Sequence, residues 1–297
     1  MSRFNNGPYS SVAVMKPQQL RSFVPTCGPV AVTVQPSDSS RFKLQPQAPE
    51  DGSTMLTCSS LDQWRSSAAD RYQGLRVARP IDPTRWQSVT NQLSDIHGEG
   101  MMESVHAQVI DLDGSTGEDS LRQQFEDAAN AISHGLEPEL AQLVSQDAQA
   151  LASTTQKLVP QAEQIIMKLE LFDTNSCFRW HQDWYVCRAI VSYNLSAMDY
   201  TADSNVDFHE LYNRGTNDAI THDKSRIRAA NVGDMVLIKG KKYPGTGKSL
   251  VHKSPEISYD CNGRVQTRLI LKVDVLNLRN DEKAQDEKCK DEDCKDC

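Results

Sequence analysis

The amino-acid sequence predicts an α+β protein in which a mainly helical N-terminal part packs on a C-terminal jelly roll. Apolar residues recur at helical spacing through the middle of the 297-residue chain. From about residue 163 the period changes to two, and six or seven short strands follow within roughly 115 residues. No helices alternate with these strands, so the pattern favours a β-sandwich or jelly roll over a doubly wound parallel sheet.

The same patterns divide the chain into four regions. Residues 1–55 carry prolines at short intervals, which predicts an irregular leader or an extended arm. Residues 56–162 predict a mainly helical scaffold, and residues 163–279 predict the jelly-roll region. Residues 280–297 are charged, lack apolar side chains and contain three cysteines, which predicts a disordered acidic tail.

Three helices are predicted in the second region. The first begins at Asp82, an N-cap that precedes a proline at the first helical position. The second runs from about Glu118 to Ser133, and the third runs from near Pro138 until Pro160 ends it. A strand or loop over 107–113 separates the first helix from the second.

The strands of the third region are short. Alternation begins at Ile165, and glycine, asparagine and aspartate separate the later runs. The predicted strands are 165–172, 177–184, 187–195, 235–239, 250–254 and 267–275.

The composition and net charge indicate which partners and which cellular compartment to expect. The net charge of −8 argues against a protein that follows a phosphate backbone, so nucleic acid is not expected as a partner. No apolar run approaches the roughly 20 residues that cross a bilayer, so no membrane span is expected. Eight cysteines without a secretory signal indicate an intracellular chain. It is expected in the cytoplasm, or in an organelle if the acid-poor N-terminus is a transit peptide.

Two histidines and one aspartate in the strand region form a candidate metal site. His181 and Asp183 share one face if their segment is extended, because side chains alternate along a strand. His252 follows in a later strand. Two histidines and one carboxylate are the facial triad that holds Fe(II) and leaves coordination positions open. An ordinary hydrogen-bonded His181–Asp183 pair remains the alternative at this stage.

The triad and the arginines that follow it resemble the Fe(II)/2-oxoglutarate dioxygenases, the double-stranded β-helix (jelly-roll) superfamily. Arg264 and Arg268 precede or open the last strand. In the superfamily an arginine so placed grips the distal carboxylate of 2-oxoglutarate, a contact that suits its fork of donors. The resemblance therefore implies Fe(II) and 2-oxoglutarate as cofactors.

A narrower resemblance is to an uncharacterised family, number 1826 among the domains of unknown function. It is carried by the strings CFRWHQDWYVCRAIVSYN, GDMVLIKG, SLVHKSP and RLILKVD, over about residues 160–276. The matched positions are Cys177, His181, Asp183, Arg188, Tyr193, Gly233, Asp234, Lys239, Gly240, His252, Ser254, Pro255, Arg268 and Asp274. Tyr193 is a further candidate for cosubstrate binding. The chain departs from the family pattern in a long insert, 196–229.

Other residues could supply extra metal ligands. Cys177 precedes His181 by four positions and could be a thiolate ligand or a buried apolar residue. His209 and Glu210, within the insert, could approach the metal or lie on a surface loop. In the tail, the cysteines could capture a soft divalent ion. These tail cysteines are Cys289, Cys294 and Cys297.

Two functions are compatible with this sequence. One is an Fe(II)- and 2-oxoglutarate-dependent oxygenase whose small-molecule or protein substrate cannot be read from the residues. The other is a non-catalytic protein that holds zinc or another divalent ion. A coordination position left open beside a buried arginine would favour the first function, whereas a closed site with four ligands would favour the second.

Overall fold

The computed structural model describes residues 54–79, 105–112, 114, 116–172, 177–245, 249–259, 263 and 265–279. All of these residues belong to one compact unit. The predicted leader up to residue 53, the predicted helix at Asp82 and the acidic tail lie outside the described residues, whereas Met55, the last residue of the predicted leader, begins a strand. No helix in the described part of the chain has the length and apolar character that a membrane crossing needs.

Two long helices lie where the 3.6-residue period predicts them. Helix α1 spans Glu118–Ser133 and helix α2 spans Pro138–Leu158. Helix α2 begins with a proline in its first turn, and the side chain of Glu137 accepts hydrogen bonds from the Glu139 and Leu140 amides. The apolar stripes of both helices are buried in one core with the large sheet.

The large sheet has seven strands. They are β1 (Met55–Cys58), β2 (Gly74–Val77), β3 (Val105–Asp111), β4 (Gln164–Phe172), β5 (Cys187–Ser192), β8 (Met235–Lys239) and β10 (Arg268–Val275). Their order across the sheet is β1-β2-β8-β5-β10-β4-β3. Neighbours are antiparallel except the β1–β2 pair, which is parallel. Strands β1 and β2, at one edge, are four residues each and too short to show a period, which is why the sequence predicts no strand there within its mainly helical region.

A small sheet covers the face of the large sheet that is turned away from the helices. Its strands are β6 (Asp199–Thr201), β7 (Arg228–Ala229) and β9 (Val251–Lys253), in the order β7-β6-β9. Apolar residues of both sheets form a second core, which includes Met198 and Leu250 from the small-sheet side and Ile190 and Ile270 from the large sheet. The described structure is thus a mixed α+β fold with helices on one side of a large sheet and a small sheet on the other.

Strand alternation decides which residues face the small sheet. In β5, Ala189 and Val191 enter the helix core, whereas Ile190 enters the second core. In β10, Leu271 enters the helix core, whereas Ile270 enters the second core. In both strands, odd-numbered residues therefore face the helices and even-numbered residues face the small sheet, as a period of two requires.

The segment 196–229 is part of this architecture. It supplies β6 and β7, and between them two short helices, α3 (Phe208–Tyr212) and α4 (Asn217–Ile220). Tyr200 of β6 is paired with His252 of β9. The predicted insert therefore supplies β6, which pairs with β9, the strand that carries the candidate metal ligand His252.

The predicted strand over 177–184 does not form. Only His181 in this segment makes a β-bridge. The side chain of Asn217 accepts from the Trp180 amide at 3.1 Å and donates to the Phe178 carbonyl at 2.8 Å. A side-chain amide thus takes the backbone groups that a neighbouring strand would otherwise bind.

Candidate metal centre

Backbone pairing brings the two predicted histidine ligands together. The His181 amide donates to the His252 carbonyl at 2.9 Å, and the His252 amide donates to the His181 carbonyl at 3.0 Å. Residues that exchange both hydrogen bonds in an antiparallel pair carry their side chains on the same face. The two imidazole rings accordingly lie with their centroids 4.4 Å apart.

Both rings are oriented by backbone carbonyls. Nδ1 of His181 lies 2.8 Å from the Arg179 carbonyl oxygen, and Nδ1 of His252 lies 3.1 Å from the Leu250 carbonyl oxygen. A carbonyl only accepts, so in the neutral imidazoles each Nδ1 carries the hydrogen and each Nε2 keeps its lone pair. This is the tautomer in which both Nε2 atoms can bind a metal, and the carbonyls hold the rings as outer partners do in metal sites.

Asp183 completes the cluster. Its Oδ1 lies 3.7 Å from His181 Nε2, and its Oδ2 lies 3.7 Å from His252 Nε2. The ligand atoms of the three residues all lie within 4.8 Å of one another. Oδ2 is buried and accepts no hydrogen bond from the described residues. A buried carboxylate oxygen without a donor is costly, and a cation between it and the two lone pairs would remove that cost. The donor set therefore fits a divalent metal.

Arg188 and Asp274 form a buried ion pair directly behind Asp183. Arg188 Nε donates to Asp274 Oδ1 at 2.7 Å, and a second nitrogen donates to Oδ2 at 3.2 Å. The remaining guanidinium nitrogen lies 3.7 Å from Asp183 Oδ2. Lys168 adds a third charge, 3.2 Å from Asp274. The arginine thus joins the Asp183 carboxylate to the centre of the large sheet.

The charges of the cluster hold its ligands in their metal-binding forms. Burial alone would raise the pKa of Asp183, but Arg188 and the two histidines outweigh it and lower this pKa to about 2. Burial, together with the neighbouring His181, lowers the pKa of His252 to about 4. At neutral pH the site therefore contains a carboxylate and a neutral His252 imidazole, as metal ligation requires.

A cleft opens beside the cluster and is lined by positive side chains. Arg188, Arg268, Lys253 and Lys272 contribute to its wall, and its empty space is about 440 Å³ with the part open to solvent included. Apolar residues of the second core form much of the remaining wall. The wall of the cleft therefore combines positive charges with apolar side chains.

Cys177 and Tyr193 lie in different places relative to the cluster. Cys177 lines the cleft and its carbonyl accepts a hydrogen bond from the Ser254 amide, but its thiol is outside the group of clustered ligand atoms. Tyr193 is buried in the core on the helix side of the sheet, where its hydroxyl donates to Asp147 at 3.0 Å. The structure thus does not bring Tyr193 to the cleft.

The remaining sequence candidates do not join the cluster. His209 and Glu210 lie on the short helix α3, 3.8 Å from each other, and the His209 side chain is 80% exposed. No fourth histidine, cysteine or carboxylate of the described residues joins the three clustered ligands. Arg264 and the tail cysteines lie outside the described residues.

Sequence reasoning did not assign site roles to Arg188, Asp274 and Lys272. The signal that could have found them is a charged residue in the middle of an otherwise apolar strand. In β5 (CRAIVS) and β10 (RLILKVDV), alternation places these charges on the face opposite Ala189 and Leu271. Buried charges on one face of adjacent strands indicate a polar site within the fold.

Comparison with known proteins places the chain in a family. A family described as "Protein of unknown function (DUF1826)" matches residues 87–274, which is more than half of the chain. The chain belongs to this family. Residues 87–274 include all three clustered ligands as well as Arg188 and Asp274.

Solved structures offer distant likenesses, and no curated protein matches the chain. A full-length Neurospora crassa protein in complex with alpha-KG is 12% identical, with a TM-score of 0.35, and the match covers 75% of this chain and 83% of that chain. A Pseudomonas putida prolyl-4-hydroxylase is 13% identical, with a TM-score of 0.28 and coverages of 73% and 96%. The Fe(II)/(alpha)ketoglutarate-dependent dioxygenase TqaL is 11% identical, with a TM-score of 0.38 and coverages of 74% and 88%.

Proposed function

We propose that this chain is a non-haem Fe(II)- and 2-oxoglutarate-dependent oxygenase on a jelly-roll core. The observation that carries the proposal is the buried group of His181, Asp183 and His252 beside a cleft lined by cations. Three protein ligands with no fourth in the described residues suit a catalytic metal better than a closed structural one. Bound Fe(II) with 2-oxoglutarate supplies the oxidation of an organic substrate by dioxygen, with succinate and carbon dioxide as the products of the cosubstrate.

In this proposal the two histidines and Asp183 hold the metal. Each Nε2 would offer its lone pair to the metal, and the hydrogen bond from Nδ1 to a backbone carbonyl would keep each ring in the required orientation. Asp183 contributes one negative charge, and Arg188 keeps that carboxylate ionised. Arg188 also limits the rotation of the carboxylate, because its own position is fixed by two hydrogen bonds to Asp274.

Arg268 is the residue proposed to hold the distal carboxylate of 2-oxoglutarate. It opens β10, is buried and lines the cleft. Burial lowers the pKa of this guanidinium, so its charged form gains from an anion in the cleft. Lys272, two strand positions beyond Ile270 on the same face, also lines the cleft and is held 2.5 Å from Glu170. Arg268 also offers two parallel donors, which suit a carboxylate better than an ammonium does.

The test is turnover of 2-oxoglutarate by the purified full chain. With Fe(II), ascorbate and air, the wild-type protein should release succinate from 2-oxoglutarate even without a known substrate, and Asp183→Asn should not. As a matched control, Asp119→Asn removes a carboxylate from an exposed ion pair with Arg122 at 3.2 Å on helix α1, away from the cleft. Equal succinate release by wild type and Asp183→Asn would overturn the proposal.

A further inference from the structure

Lys239 is a buried lysine to which the proposed chemistry gives no role. It ends strand β8, and its side chain is only 1% exposed. It is paired across the strands with Cys187, which belongs to the core on the helix side of the large sheet. Burial of an ammonium in a core is costly unless the group is hydrogen-bonded, so its partners indicate what it does.

Backbone carbonyls and one aromatic ring hold the Lys239 ammonium. Its Nζ donates to the Ala69 carbonyl at 2.9 Å and to the Asp70 carbonyl at 3.0 Å. The same atom lies 4.8 Å from the centroid of the Tyr243 ring, within the range of a cation–π contact. Burial lowers the pKa of Lys239 to about 8, and Asp70 offsets part of this shift. The group is therefore mainly an ammonium at neutral pH.

The residues after Lys239 form a turn that brings this tyrosine back over the lysine. The Tyr243 amide donates to the Gly240 carbonyl at 3.2 Å and closes residues 240–243, which we call the β8 turn. Because the Tyr243 ring lies over the Lys239 ammonium, the lysine side chain contacts the far end of the turn that its own backbone begins. The ammonium thus joins the β8 turn to the 3₁₀ helix Ser67–Arg71.

The β8 turn in turn holds the backbone of Asp183. The amides of residues 240, 241 and 242 donate to the carbonyls of Val186, Asp183 and Tyr185 at 2.9, 2.9 and 3.2 Å, respectively. A Cβ at Gly240 would overlap the Tyr185 carbonyl oxygen, so only glycine allows the two segments to approach so closely. The turn therefore fixes the chain at the residue that supplies the carboxylate of the cluster.

Lys239 is also connected to His252. The Lys239 carbonyl accepts from the Leu250 amide at 3.2 Å. The Leu250 carbonyl lies 3.1 Å from Nδ1 of His252 and orients that ring. Two of the three clustered ligands are thus joined to Lys239, Asp183 through the β8 turn and His252 through Leu250.

We propose that Lys239 is a positioning residue for the metal centre, because its ammonium holds the β8 turn and thereby the Asp183 carboxylate. The role rests on the metal centre of the function proposed above, but not on 2-oxoglutarate. Lys239 and Gly240 belong to the string GDMVLIKG, yet neither is part of the ligand cluster or lines the cleft. Burial disfavours the charged form of Lys239, so the ammonium is a weak source of stability, and a role in orientation accounts for it.

Mn(II) calorimetry of the full chain tests this role without a cosubstrate. Lys239→Met keeps an unbranched apolar stem but removes the ammonium, so Asp183 should be less well oriented. We expect Mn(II) affinity to fall about tenfold, at the lower end of the range for partners around a metal site. The visible absorption bands of the Co(II)-loaded variant, which report ligand geometry, should also differ from those of wild type.

Arg79→Met is the control for a change that affects stability alone. It breaks an ion pair with Asp147 at 2.7 Å and should leave Mn(II) affinity and the Co(II) bands unchanged. Tyr243 supplies a second pair of variants, which decides the question if Lys239→Met does not fold. Tyr243→Leu removes the ring from the ammonium and should lower Mn(II) affinity about two- to fivefold, whereas Tyr243→Phe keeps the ring and should bind as wild type does.

Three results would overturn the proposal: wild-type Mn(II) affinity and Co(II) bands in Lys239→Met, an equal loss of affinity in Arg79→Met, or equal Mn(II) affinities of Tyr243→Leu and Tyr243→Phe. Succinate release by the wild type, with undiminished Mn(II) binding by Lys239→Met, would retain the oxygenase and remove this role. Weakened Mn(II) binding by Lys239→Met, without succinate release by the wild type, would retain the role and remove the oxygenase. A wild type that binds no Mn(II) would overturn both.

Discussion

Replacement of Arg188 by methionine is the perturbation that best separates the metal centre from the rest of the fold. The change keeps much of the side-chain volume but removes the charge that lies 3.7 Å from Asp183 and the two hydrogen bonds to Asp274. Asp183 and Asp274 would then be buried carboxylates that share less positive charge. Breaking a buried ion pair in this way costs about 3–5 kcal/mol of folding free energy.

The same substitution should weaken metal binding. Arg188 does not belong to the ligand cluster, so its loss should act through the orientation and charge of Asp183, a change that typically costs about 10- to 100-fold in affinity. The pKa of Asp183 should also rise, because the first of the charges that lower it would be gone. Protonation of Asp183 should therefore weaken metal binding at a higher pH in the variant than in the wild type.

The assay combines urea unfolding of the chelated protein with Mn(II) titration by calorimetry. Arg188→Met/Asp274→Asn should recover part of the stability, since it removes the second buried charge as well. Arg79→Met is the matched control. It breaks a pair at 2.7 Å between Arg79, which follows β2, and Asp147 of helix α2, and should lower stability while Mn(II) affinity stays unchanged. If Arg188→Met binds Mn(II) as wild type does, or loses less than about 1 kcal/mol of stability, the role assigned to Arg188 is refuted.

Three further substitutions test other parts of the account. Arg268→Lys keeps the charge but loses the bidentate fork, so calorimetry should show 2-oxoglutarate binding weakened by about 1–3 kcal/mol with Mn(II) affinity intact; unchanged 2-oxoglutarate binding would contradict the assigned role. Because burial lowers the pKa of His252 to about 4, the folded chain resists a proton that the unfolded chain accepts near pH 6.5. The chelated protein should therefore lose about 2 kcal/mol of stability in urea between pH 7 and pH 5, and His252→Gln should lose distinctly less; equal losses would show that another group titrates. Gly240→Ala should cost more than about 2 kcal/mol because its Cβ meets the Tyr185 carbonyl, whereas Gly117→Ala, with no atom within 4 Å, should be nearly neutral; equal melting temperatures would contradict this packing.

The spacing of apolar residues is sufficient to predict the longer helices and strands of this fold. The sequence predicts α1 over Glu118–Ser133 and β8 over Met235–Lys239 with the bounds that the structure has. These segments have enough residues for one apolar face to be read, and glycine, proline or charge marks their ends. In the small sheet, β9 (Val251–Lys253) lies within the predicted strand 250–254, whereas β6 and β7 have three and two residues, which is too few for any period to appear.

Only the part of the candidate site that depends on residues close together in the sequence could be predicted. His181 and Asp183 are two positions apart, and the spacing alone suggests a shared direction even though no strand forms around them. What the sequence could not show is that His252 pairs through its backbone with His181, because that contact joins residues 71 positions apart. The burial of Arg188 against Asp274 is likewise a long-range pairing between β5 and β10.

Tyr193 shows how alternation could have been used further. It continues the series Cys187, Ala189 and Val191, all of which lie in the core on the helix side. Arg188 and Ile190 occupy the other face, toward the cleft. The cleft lies on the face of the even-numbered residues, and an odd-numbered residue reaches that face only if a β-bulge intervenes. Alternation along the strand therefore already indicates that Tyr193 faces away from the metal centre.

Metal-dependent binding of 2-oxoglutarate is the measurement that tests the central claim most directly. Calorimetry of the full chain with 2-oxoglutarate under anaerobic conditions should show binding when Mn(II) is present and little binding when a chelator replaces it. His181→Ala should bind neither Mn(II) nor 2-oxoglutarate at wild-type strength, since removal of one of three ligands costs more affinity than the roughly 10–100-fold typical of changes around a metal site. An absence of 2-oxoglutarate binding by the Mn(II)-loaded wild type, or undiminished binding by His181→Ala, would contradict the account.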